Sequence, residues 1–132
     1  MFLDRLNQDQ HQAIFDLAAN LAAADNDISE EEVTFLKGFS SKYGITFDLN
    51  KANINVTETL SKLNTKEVRI IALQQLIKLS YKDGHFGKEE QDKVLLIAQK
   101  MGLNDPELMI RIEKWVRQGF DWAYEGEQML KH

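Results

Sequence analysis

With 132 residues, 43% of them hydrophobic and 28% charged, the chain has apolar material for one buried core, too little length for two domains, and a composition that argues against disorder. It has no cysteine, which removes disulfides, thiolate metal sites and cysteine nucleophiles at once and suits a reducing compartment. The net charge of −5 lies wholly in residues 1–64, with ten acids against five bases, and such a surface repels phosphate backbones, so no nucleic-acid partner is expected.

Proline occurs once, at Pro106, and helix formers fill long windows, so the fold class is all-α. A first helix is expected over about residues 7–24, with Phe15, Ala18, Leu21 and Ala22 at helical spacing. Ser29 and Glu32 then form an S-x-x-E capping box that opens a second helix. Its buried stripe is Val33, Leu36, Phe39 and Tyr43, and Gly44 ends it as a glycine just past the last turn. Residues 45–64 read as a connection with a short helix near 57–63. Thr65 caps an apolar helix running to about 82 through Val68, Ile71, Leu76 and Leu79. A further helix is expected over about 88–101, with Val94, Ile97, Ala98 and Met101 inward and Gly102 at its end. The last begins at Asn104, where Asn-Asp-Pro-Glu supplies a cap and an early proline, and it runs to about 125 with Leu108, Ile112, Trp115 and Val116 toward the core.

A shift of 58 positions superimposes the two halves: Leu21 on Leu79, Asp25 on Asp83, Ile28 on Phe86, Glu31-Glu32 on Glu89-Glu90 and Gly44 on Gly102. The expected architecture is therefore a single bundle of two helix–acidic turn–helix repeats, about 7–45 and about 65–103, plus the C-terminal helix. Neither unit can bury its apolar face alone, so the two are expected to pack about a pseudo-twofold axis.

The turns read Asp25-Asn26-Asp27-Ile28-Ser29-Glu30-Glu31-Glu32 and Asp83-Gly84-His85-Phe86-Gly87-Lys88-Glu89-Glu90. Each resembles the last eight positions of an EF-hand calcium loop, with an acid first, a residue tolerant of positive φ second, an apolar plug fourth and glutamate eighth. The first and third ligands of a complete EF-hand would fall on Leu21 and Ala23, or on Leu79 and Tyr81, and so a full EF-hand is excluded. Two readings of the acids stay open. In one, Asp25, Asp27 and Glu32, and again Asp83 and Glu90, hold a divalent cation such as calcium or magnesium, with His85 admitting zinc. In the other they only end one helix and cap the next.

At these turns the chain resembles the TerB-like family of tellurite-resistance proteins, whose signature is a repeated A-D-G-x-x-x-x-x-E. It stands here as Ala24-Asp25-Asn26 with Glu32, and as Lys82-Asp83-Gly84 with Glu90. The likeness spans about residues 10–103. It implies an all-helical bundle, a bacterial stress response and acidic positions that bind divalent cations. Two positions depart from the pattern. Asn26 replaces a glycine that it can stand in for, whereas Lys82 replaces an alanine and sets a positive charge beside Asp83, which makes the first turn the better cation site.

None of His11, His85 and His132 falls in a nucleophile–base pattern, and there is no glycine-rich phosphate loop, so the chain is read as non-enzymatic. No stretch is long and apolar enough to span a bilayer, and the first residues lack a basic signal region, so a cytoplasmic protein without membrane insertion is expected. Phe120, Trp122 and Tyr124 cannot share one helical face. They either pack over the end of the bundle or form a surface for a protein partner or a homodimer. The alternative to a cation-binding, TerB-like module is thus a metal-free helical adaptor.

Overall fold

A computed structural model describes residues 2–23, 29–47, 55–82 and 85–131. After a short 3-10 turn at Leu3–Arg5, six helices follow: α1 Gln8–Ala23, α2 Glu30–Tyr43, α3 Val56–Ser61, α4 Lys66–Ser80, α5 Lys88–Lys100 and α6 Pro106–Leu130. Between α4 and α5 a two-residue antiparallel bridge joins β1 (Tyr81–Lys82) to β2 (His85–Phe86). No helix among the described residues is long and apolar enough to cross a membrane.

The helix boundaries follow from local chemistry. Ser29 Oγ accepts the Glu32 amide hydrogen while Glu32 Oε1 accepts from the Ser29 amide, completing the expected capping box. Thr65 accepts from Val68 at the start of α4, and Asn55 accepts from Glu58 at the start of α3. Gly44 and Gly102 both adopt positive φ, at 66° and 77°, where a side chain would crowd the following carbonyl. Past each glycine the chain closes the same way, Ile45 N–H donating to Ser40 C=O and Leu103 N–H to Ala98 C=O. Elements thus recur 58 residues apart: α1 and α4 start at 8 and 66, and α2 and α5 at 30 and 88.

At the centre lie α1 and α4, packed on each other. Around them α2 and α3 lie on α1, and α5 and α6 on α4. Phe15, Ile14, Leu17, Leu36, Leu63, Leu73, Leu76 and Ile77 are fully buried in one continuous core. Alanines at 13, 18, 19 and 22 let neighbours approach α1 closely on most of its circumference, and all four are buried.

Several expectations need correction. α4 ends at Ser80 rather than near 82, because Tyr81 turns to extended backbone and enters the β bridge. α6 is capped by Asp105, not Asn104: the Asp105 carboxylate accepts from both Glu107 and Leu108, and Pro106 takes the first helical position. The helix then continues to Leu130, past the expected 125, since no proline or positive-φ glycine intervenes. Val33, Tyr43, Val68 and Leu108 are half-buried rather than fully inside. Trp115 is not a core residue. Ile112 and Val116 are the buried residues of α6, and Trp115 sits beside that line, 39% exposed, with its ring stacked on Phe2 at 6.3 Å between centroids.

Candidate functional site

The acidic turns were the first candidate. Asp25, Asp27 and Asp83 lie outside the described residues, as does the His85 side chain. Glu32 and Glu90 are described. Glu32 is buried, and its Oε1 accepts from both the amide and the hydroxyl of Ser29. Glu90 folds back over Gly87, so that a β-carbon at that glycine would collide with its carboxylate. Both glutamates therefore reach back toward their turns. Ser29 and Gly87, the equivalent N-caps, have nearly the same backbone torsions: φ −69°, ψ 159° and φ −65°, ψ 157°. Among the described residues no three histidine, aspartate or glutamate side chains gather closely enough to hold a metal.

A second site, which the sequence reading only touched, lies on α6. Beyond Val116 no residue of this helix is buried. Trp122 is 81% exposed, Met129 72% and Leu130 86%. Trp115, Trp122 and Met129 follow one another at intervals of seven, with Gly119 and Gly126 between them, so all five fall on one helical stripe, while the exposed Ile110, Phe120 and Tyr124 lie on other faces. Ile112 and Val116, on the neighbouring line, pack the first half of α6 on α4, and past Val116 no residue of the stripe is buried.

Where α6 leaves α4, the two helices enclose a groove of about 610 Å³. Trp115, Val116, Gly119, Trp122 and Ala123 line it from α6, and Gln74, Gln75 and Lys78 from α4. The walls are mostly apolar, but Oε1 of Gln74 is buried with no hydrogen-bond partner among the described residues. An unmet buried acceptor costs about 1–3 kcal/mol.

Tyr81 also holds α6. Tyr81 donates to Glu113 Oε1 at 3.1 Å, and the same oxygen accepts from Arg117 at 3.3 Å. The Tyr81 ring stacks on Phe120 at 5.4 Å, so this aromatic of the C-terminal segment packs against the bundle. Burial, with the hydrogen bond and negative charge of Glu113, raises the Tyr81 phenol above its ordinary value of 10.0; Arg117 pulls the other way. At the opposite end of the bundle Arg69 donates to the carbonyls of Leu63 and Met101, both at 2.6 Å, tying the α3–α4 connection to the end of α5. Gln8 does the same for α2, donating to the Tyr43 carbonyl.

No family model matches the chain, and no curated protein or solved structure matches it either.

Proposed function

We propose that this chain is a non-catalytic, cytoplasmic helical interaction module that engages a protein through the distal stripe of α6 and the groove between α4 and α6. One observation carries the reading: Trp115, Trp122 and Met129, all exposed, lie along one stripe of this helix at intervals of seven. Tryptophan is enriched among the residues that dominate binding energy, and Trp122 stands at the middle of the stripe. The test is to replace Trp122 with a photoreactive phenylalanine in cells and irradiate, with the exposed Lys37 on α2 as the control position. A discrete protein adduct is expected at 122 and absent at 37; equal labelling at both, or none, rejects the reading.

A second reading is supported by the matched geometry of the two turns. The equivalent torsions at Ser29 and Gly87, and the inward reach of Glu32 and Glu90, fit two cation sites in a TerB-like module whose repeats are related by a pseudo-twofold axis. The sites would draw on Asp25, Asp27 and Glu32, and on Asp83 and Glu90. Chelator-treated protein titrated with calcium, magnesium, zinc or manganese should then melt higher. A site filled at about 100 times its Kd adds about 2.7 kcal/mol, or roughly 5–10 °C at this length. The shift should vanish in Asp25→Ala; if no ion raises the melting point, the acids are helix caps alone.

A further inference from the structure

Among the described residues nothing requires a glycine at 119 or 126. A β-carbon built at either meets nothing within 4 Å, and neither has positive φ. Glycine inside a helix costs about 0.5–1 kcal/mol relative to alanine, so both weaken α6 with no return in its own packing. What they provide is open space on the same stripe as two tryptophans at the same interval of seven.

Resting on the reading that the α6 stripe is an interaction surface, we infer that its occupant is a second copy of this chain, with the two α6 helices packed antiparallel so that tryptophans of one copy seat over glycines of the other. An axis between residues 120 and 121 does this for every member of the set. Trp122 of each copy lies over Gly119 of the other, and Trp115 over Gly126. Other registers leave at least one ring without a glycine. Tryptophan supplies the bulk, glycine the depression, and the backbones approach closely, as small and large side chains alternate in well-packed helix pairs.

The exposed area fits this pairing. Trp115, Trp122, Met129 and Leu130 expose on the order of 600 Å² per copy, so a symmetric contact covers about 1,200 Å² in total, above the roughly 1,000 Å² expected of a specific interface.

Sedimentation equilibrium of the full chain from about 1 to 500 μM, a range that spans weak and moderate homodimers, tests the pairing. A monomer–dimer equilibrium is expected. Trp122→Ala should weaken it by roughly 30-fold or more, as for a central hot-spot residue. Gly119→Leu fills the seat with a better helix former. It should abolish the dimer while its melting point at low concentration equals or exceeds the parent's, which separates lost association from lost folding. The chain has no cysteine, so introduced thiols report orientation unambiguously. Mixed Gln118→Cys and Glu125→Cys proteins should oxidise to the mixed dimer in preference to either self-pair. A chain that stays monomeric throughout, a Gly119→Leu variant that still dimerises, or preferred self-pairs would each overturn the inference. In that event an adduct of heterologous mass at position 122 would leave the interaction reading standing with another occupant, and no adduct would remove both.

Discussion

Val116 and Trp122 lie six residues apart on one helix, and truncating each to alanine should have opposite consequences for folding and for association. Val116 is 6% exposed against α4. Its replacement removes two methyl groups, worth about 0.8 kcal/mol each, and leaves a small cavity, for a loss of about 2 kcal/mol. Trp122 is 81% exposed, so only about 50 Å² of it is withdrawn from water, worth at most about 1 kcal/mol. The higher helix propensity of alanine returns part of that, and the net loss should stay within about 0.5 kcal/mol. Urea unfolding followed by far-UV circular dichroism at about 1 μM, where association contributes little, resolves the two. With equal slopes, the Val116→Ala midpoint should fall by roughly 1 M and that of Trp122→Ala should hardly move. At high concentration the order should reverse in part, because the parent and Val116→Ala gain stability from association and Trp122→Ala does not. A loss above about 2 kcal/mol for Trp122→Ala at low concentration would mean that the ring packs in the monomer, and the spare stripe would not exist.

Other consequences are independent of that surface. Arg69→Met keeps the aliphatic stem but removes both hydrogen bonds to the Leu63 and Met101 carbonyls, and chemical denaturation should show a loss of about 2 kcal/mol or more. Gly102→Ala meets no atom, so its cost is conformational alone, about 1–2 kcal/mol, whereas Gly38→Ala inside α2, equally open, should raise stability by about 0.5–1 kcal/mol in the same measurement. The raised Tyr81 phenol favours the folded state below the unfolded value of 10.0, and that contribution is lost as pH rises from there through the higher folded value. Alkaline unfolding curves of Tyr81→Phe should therefore be flatter above about pH 10 than those of the parent; parallel curves would mean the phenol does not feel Glu113.

What was legible in the sequence was what is decided locally. The Ser29–Glu32 box, the Thr65 cap, and the glycines at 44 and 102 each solve a problem within one turn of backbone, and each stands where its residue types point. The alternation of apolar positions found α1, α2, α4 and α5 for the same reason. Long-range features were not available to that reasoning. Arg69 looks like any surface arginine until two loops converge on it, and the β bridge at Tyr81 depends on how the chain turns back after α4. Trp115 was misplaced because periodicity gives a broad face, and only the position of α4 decides that Ile112 and Val116, not Trp115, lie at its centre. The α6 surface left a readable trace, two tryptophans and two glycines at intervals of seven, which matters only once the helix is known to run uncovered to Leu130. The acids at 25, 27 and 83 fall outside the described residues.

The unequal anchoring of α6 also governs how its turns open. It spans 25 residues, about 37 Å of axis, yet its contacts with the bundle end near Val116 and Phe120. A helix of about a dozen residues is marginal in water by itself, so the distal turns keep their form as an extension of a segment nucleated at Asp105 and clamped by Tyr81 and α4. Amide hydrogens should exchange slowly up to Val116 and progressively faster toward Leu130, in a gradient set by distance from the clamp. Whatever settles on the stripe must then slow exchange in the distal turns that it covers. The profile of that slowing along the helix would show how far the contact extends, and it needs no knowledge of what made it.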